Sequence, residues 1–178
     1  MLISPSVLNS NLGRLSEEIS KVEGVADLIH LDVMDNHFVP NLSFGLPVVA
    51  GVIAQTSLPV DVHLMIDDPD RWAPAYGEAG AYSVTFHIEA AKDPLTLSKN
   101  ISATGARVAA ALKPGTDLDS LDGLIEHLDM ILIMTVEPGF GGQAFMYDMM
   151  PKITRARELS GAQMWIEVDG GVSQNTIT

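Results

Sequence analysis

Short apolar runs alternate with amphipathic stretches along this chain. The runs most readily assigned to strands are Leu2–Leu8, Leu28–Met34, Val60–Ile66, Tyr82–Ile88, Arg107–Leu112, Met130–Val136 and Met164–Val168. Between them, Leu12, Leu15, Ile19 and Val22 fall at helical spacing, as do Leu118, Leu121, Leu124, Ile125 and Leu128. Asp68-Pro69 and Asp93-Pro94 each read as a helix N-cap followed by proline at the first helical position. Gly24, Gly80, Gly105 and Gly161 fall where the intervening helices should stop. No proline-rich or low-complexity linker interrupts the pattern, so one domain over residues 1–178 is expected.

Units of about 25 to 30 residues, each a strand followed by a helix, predict parallel strands joined by crossover helices. A doubly wound sheet and a (β/α)8 barrel both satisfy that pattern. A glycine-rich turn after the first strand would favour the doubly wound sheet, yet the stretch Ser4 to Asn9 has no glycine. Polar residues recur instead near the C-terminal ends of the strands, at Ser6, Asp32, His63, His87, Lys113, Glu137 and Asp169. That is where a barrel assembles its active site. Only seven strands are counted, so the expected fold is a (β/α)8 TIM barrel ending after the seventh, with the eighth strand and helix absent. Either the sequence is part of a longer one, or a partner chain, such as a second copy in a homo-oligomer, covers the open edges.

Composition narrows the chemistry. The formal charge of −13, with ten Lys and Arg, leaves no basic stripe for nucleic acid or an anionic membrane surface. An anionic substrate must then be held by backbone amides, helix N-termini or a metal. The absence of cysteine rules out thiolate chemistry, and no segment approaches the roughly 20 apolar residues of a membrane span, which places the chain in the cytoplasm.

Residues two apart on a strand share a face, so His30 and Asp32 should stand side by side, with His63 and Asp169 as counterparts on neighbouring strands. Two imidazoles and two carboxylates converging at strand ends make a divalent-metal site. The donor set suits zinc, iron, manganese or cobalt. His87 and Glu89 also end a strand, in a position to order the metal ligands, and Asp35, Asp61 and Lys113 read as anchors for strand-end loops.

The strings PSVL (5–8), HLDVMDNHFVP (30–40), DVHLM (61–65), LKPG (112–115), MTVEPGFGGQ (134–143) and EVDGG (167–171) resemble the ribulose-phosphate 3-epimerase family, in register over the whole sequence. The resemblance implies a (β/α)8 barrel isomerase of carbohydrate metabolism, interconverting D-ribulose 5-phosphate and D-xylulose 5-phosphate in the pentose phosphate pathway. It places one divalent metal ion on His30, Asp32, His63 and Asp169, and makes Asp32 and Asp169 the two acid/base groups that move the C3 proton through an enediolate. Inverting a carbon beside a ketone needs such groups on both faces of the substrate. The resemblance further assigns substrate contacts to Ser6 and His63, a pocket wall to Met34, Met65 and Met134, and a phosphate cradle to Gly139, Phe140, Gly141, Gly142, Gly170 and Gly171.

Two departures from the family stand out. Asn36 replaces the usual glycine after Asp32; asparagine is the non-glycine residue that best tolerates a left-handed backbone, so the loop should survive. The Gly-Ser pair that completes the cradle after an eighth strand is not in this sequence. Other readings are an epimerase of a phosphorylated ketohexose, a barrel lyase, against which stands the lack of lysine in Asp32-Val33-Met34-Asp35, and an inactive truncated barrel.

Overall fold

The structure is a computed structural model that describes residues 1–177. Six strands form one sheet: β1 (Ile29–Met34), β2 (Val60–Met65), β3 (Ser83–His87), β4 (Arg107–Leu112), β5 (Met130–Met134) and β6 (Trp165–Asp169). All neighbours are parallel, and the strands lie side by side in chain order. A doubly wound sheet reverses its strand order partway across. This sheet never does so, and it curls strongly enough for side chains of β6 to reach β1 and β2 at its far end: His30 lies 3.4 Å from Glu167 and His63 lies 3.5 Å from Asp169. Sequential parallel order with that curl is the (β/α) barrel architecture.

The strand alternation sorts the side chains into two layers. Ile29, Leu31, Val33, Val62, Leu64, Val84, Phe86, Ile131 and Ile133 join a single core with the helices outside the sheet. The opposite face carries His30, Asp32, Asp61, His63, Thr85 and His87, all buried, and beside them the small or flexible Ala111, Leu132 and Met134. The helices are α1 (Leu15–Ser20), α2 (Leu46–Ile53), α3 (Pro69–Glu78), α4 (Pro94–Ala103) and α5 (Met150–Ser160). Asp93 caps α4 by accepting from the Thr96 amide at 3.0 Å. Asp68 precedes Pro69 as expected, yet its side chain makes no cap bond and pairs with Lys92 instead. The four predicted stop glycines, Gly24, Gly80, Gly105 and Gly161, all take positive φ.

Two local expectations are corrected, and one element is new. Leu2–Leu8 forms no regular strand; it runs beside β1 through Asp27 N–H to Ile3 O, His30 N–H to Pro5 O and one bridge, Ser6 to His30. Pro5 has no N–H to give, so the ladder cannot continue through it. The helix expected over residues 118–128 is two short 3₁₀ turns, Leu118–Leu121 and Ile125–His127. Asp122 is extended at ψ 128° and Gly123 has φ 74°, which breaks the helix while Leu118, Leu121 and Leu124 stay buried. Helix α2 was not foreseen: its sequence, LPVVAGVI, is rich in β-branched residues and its N-cap is a glycine without a side-chain cap.

Candidate metal centre and active-site mouth

The ladder register fixes the site. Asp32 is level with His63, His30 with Asp61, Met34 with Met65, and Met134 with Asp169. Asp169 is thus not on a strand neighbouring β1 or β2, as the strand pattern suggested; it sits on β6, and the curl of the sheet brings it in. His30 Nε2 lies 3.4 Å from Asp32 Oδ1, 4.0 Å from Asp169 Oδ2 and 3.3 Å from His63 Nδ1, while His63 Nδ1 lies 3.3 Å from Asp32 Oδ1 and 3.5 Å from Asp169 Oδ2. All four ligand atoms fall within 4.8 Å of one another. Tetrahedral coordination with bonds of about 2.0–2.1 Å puts ligand atoms about 3.3–3.4 Å apart, so the donors stand close to the spacing a small dication requires.

Charge and hydrogen bonding agree with that spacing. Burial alone would depress the pKa of His30, but the Asp32 charge and hydrogen bonds to Asp32, Asp61 and Glu167 outweigh it and raise the imidazole well above its usual value. Against the same burial cost, hydrogen bonds to Asp169 and Asp32 raise His63 to about 9. Burial would raise Asp32, and the two histidines overcome it and hold the carboxyl far below the usual range. Without a metal, this cluster therefore gathers protons onto its imidazoles. A dication supplies the same positive charge to the two carboxylates and leaves the rings neutral, as ligation needs.

Three of the four candidate ligands are held by neighbours. The Ser6 hydroxyl donates to the second oxygen of Asp32 at 2.5 Å. Asp61 accepts from His30 Nδ1 at 2.7 Å and from the Ser83 hydroxyl. Asp61 was expected to anchor a loop; it is buried in the strand layer below the ligands and orients one of them. The Thr135 amide and hydroxyl both donate to Asp169 O, at 2.7 and 2.9 Å, pinning the end of β6. Asp35 does anchor loops: it accepts from the amides of His37, Phe38 and Asp67. Lys113 contributes mainly its backbone, with Glu89 accepting from its amide, and its ammonium lies 3.8 Å over the Phe38 ring.

A cavity of about 850 Å³ opens over the cluster. Ser6, His30, Asp32, Met34, Met65, Met134 and Asp169 line it, together with Gly139, Phe140, Gly141, Gly142, Gly170 and Gly171. His63 lies behind this lining and is fully buried. The amides of Gly141, Gly142, Gly170 and Gly171 donate no hydrogen bond among the described residues. Free backbone N–H groups around a cavity suit an anion, in a protein with few cations to spare. Two of these positions demand glycine. Gly170 has φ 112° and an added Cβ would run into Val136, and Gly171 has φ 68° and an added Cβ would run into the backbone of Ala144 and Phe145.

Sequence reasoning missed three participants. Glu167 shares the inner face with Asp169 two residues on; burial and the Asp61 charge, against the pull of His30, push its pKa up to about 7. The alternation of Glu167 and Asp169 was the available signal. Asn9 packs on Gly141, and Asn41 Nδ2 donates to Gly139 O at 2.7 Å, tying the loop after β1 to the glycine loop; neither has a sequence signal. The Asn36 expectation holds, since it is the one non-glycine residue with positive φ, at 59°, among the described residues.

Parallel barrel topology with histidine and carboxylate side chains gathered at the C-terminal ends of the strands defines a protein of the (β/α)-barrel class. Among solved structures, the chain is similar to 3-keto-L-gulonate-6-phosphate decarboxylase from Vibrio cholerae, with TM-score 0.70 and 14% identity over 96% of this chain and 78% of that one. It is also similar to a tryptophan synthase alpha-subunit from Pyrococcus furiosus, with TM-score 0.67 and 11% identity over 97% and 79%. At those identities the likeness is one of fold. Residues 2–178 match the sequence profile of the ribulose-phosphate 3 epimerase family, and the chain belongs to that family. Curated relatives named ribulose-phosphate 3-epimerase include proteins from Mycobacterium bovis, 49% identical over 99% of this chain and 78% of the relative. Another, from Bacillus subtilis, is 41% identical over 98% and 82%. No helix among the described residues is long and apolar enough to cross a membrane.

Proposed function

We propose that this protein interconverts D-ribulose 5-phosphate and D-xylulose 5-phosphate by moving the C3 proton between Asp32 and Asp169, with a divalent cation held by His30, Asp32, His63 and Asp169. The observation that carries the proposal is the meeting of Asp32 on β1 and Asp169 on β6 at one point beneath a single cavity, from opposite ends of the sheet.

Two carboxylates on well-separated strands can address opposite faces of a substrate carbon, one taking the proton as the other returns one. A cation at the four donors would supply Lewis acidity, polarising the substrate carbonyl and stabilising charge that builds as the C3 proton leaves. Ser6 holds Asp32 through its outer oxygen, and Thr135 fixes the backbone of Asp169. Met34, Met65 and Met134 wall the space above the carboxylates with apolar, polarizable side chains that exclude water. The amides of Gly141, Gly142, Gly170 and Gly171 bind the phosphate, which orients the sugar and contributes to turnover as well as to affinity.

The test is proton NMR in D2O on the protein expressed from its natural gene, with Asp32→Asn and Asp169→Asn as variants. Each should lower turnover by about 10²–10⁴-fold, the range typical of lost acid/base catalysis, or by more because each also loses a ligand. Each variant should exchange the C3 proton with solvent from at most one of the two epimers. Comparable exchange from both epimers in either variant would refute the two-face assignment, and full activity after exhaustive chelation would refute the metal.

A further inference from the structure

Behind His63, away from the cavity, two further titratable side chains continue in a line that the proposed chemistry does not use. His63 Nε2 lies 2.9 Å from His87 Nε2, and His87 Nδ1 lies 3.0 Å from Glu89 Oε2. The other Glu89 oxygen accepts from the Lys113 amide at 2.7 Å. Both histidines are fully buried, and the Phe38 ring packs against His87 with centroids 4.7 Å apart.

The hydrogen-bond roles along this line are forced from its outer end. The Lys113 amide can only donate, and an ionised carboxylate can only accept. His87 Nδ1 must then carry a proton toward Glu89. A neutral imidazole has a single N–H, so His87 Nε2 is an acceptor, and the proton between the two rings belongs to His63 Nε2. In neutral His63 the Nδ1 lone pair then faces Asp32 and Asp169, which is the form a metal ligand needs. His30 is set by a shorter device, in which Asp61 accepts directly from its Nδ1 and leaves Nε2 for the cluster.

We propose that His87 and Glu89 are positioning residues that fix the tautomer of His63, transmitting the acceptor character of Glu89 through one intervening imidazole to keep Nδ1 open to a cation. This rests on the reading of the quartet as a metal centre. Glu89→Gln exposes the mechanism, because His87 and the Lys113 amide lie against different oxygens of Glu89 and only one of those positions is an oxygen in glutamine. With the oxygen kept on the Lys113 amide, the NH2 group faces His87, which turns to its Nε2–H form. The proton of His63 is then driven onto Nδ1, against the cation. His87→Phe keeps the ring volume and the contact with Phe38 but removes the acceptor.

The experiment titrates cobalt(II) alone into the protein and its variants, following the visible absorption, and records nitrogen-15 NMR of the zinc-loaded parent. The parent should bind cobalt, and its zinc-loaded form should carry the His63 proton on Nε2. Glu89→Gln and His87→Phe should each bind cobalt about 10- to 100-fold more weakly, the usual consequence of losing a partner behind a ligand. The double variant should be no weaker than His87→Phe alone, because Glu89 acts only through His87; independent structural effects would add. A parent that binds cobalt while both variants bind it equally well overturns this inference and leaves the metal centre standing. Zinc found on Nε2 of His63 does the same. If the parent itself binds no metal, the metal reading falls and this inference with it. Should His87→Phe fail to fold, Glu89→Gln decides alone, since it leaves the shape of the side chain unchanged.

Discussion

The metal-free protein should lose stability as the pH rises from 7 to 9, and the size of the loss follows from the buried cluster. His63 titrates at about 9 in the folded chain and near 6.5 when unfolded, a difference worth about 3 kcal/mol at about 1.4 kcal/mol per pH unit. Because the folded value is the higher one, that stabilisation is fully present below pH 6.5 and is lost as the pH passes through 9. His30 is shifted in the same direction. The two rings approach to 3.3 Å, so a second proton is opposed by the first, and the combined loss is closer to that of one group than of two. Between pH 4.5 and 6.5, two other groups offset each other. Glu167, raised to about 7, loses its contribution as the pH rises, while His87, drawn down to about 4 by burial over the opposing bond to Glu89, costs stability as the pH falls. Urea unfolding of chelator-treated protein at half-unit steps should therefore give a plateau below pH 7 and a fall of about 3 kcal/mol by pH 9. Added zinc should stabilise the fold more strongly at pH 8.5 than at pH 6, because it competes with protons for the same nitrogens. Metal-free stability that is level or rising between pH 7 and 9 would refute this account of the cluster.

Gly170→Ala forces a side chain onto φ 112° and into Val136, so it should lower unfolding stability by about 1–3 kcal/mol and raise KM for the phosphorylated substrate; unchanged values of both would count against the tight packing assigned to that turn. Asn41→Ala removes the bond to Gly139 O and should cost about 1 kcal/mol while raising KM for the phosphorylated substrate, and unchanged values of both would show that the two loops are held together by something else.

The strands were legible because apolar residues alternate with the buried polar ones in β1 to β3 and run without interruption through most of β4 and all of β5, and β1 to β5 fall within the expected segments. Helix ends were legible where glycine was required, as at Gly80 and Gly105. Helix α2 was not, since nothing in LPVVAGVI distinguishes a packed helix from a buried strand until its neighbours are known. The break at Gly123 was hidden by leucines that are buried equally well by two short turns as by one helix. In the site, the two-residue spacing placed His30 beside Asp32, but only the curl of the whole sheet shows how Asp169 reaches them. Asp61 was misread as a loop anchor because position in a strand says little about depth: it is the second residue of β2, two before His63, and so sits below the candidate ligands, not above them.

The order of the strands also governs when the site can exist. Every ladder joins neighbours in sequence, so a chain emerging from the ribosome can pair each strand with the one just completed. His30, Asp32 and His63 arrive early on β1 and β2, and the line from His63 to Glu89 closes once the Lys113 amide at the end of β4 is in place. Asp169 arrives last. Until β6 has formed, the nascent protein carries only three of the four donors, and the fourth is added only when the sheet has curled far enough to bring β6 across.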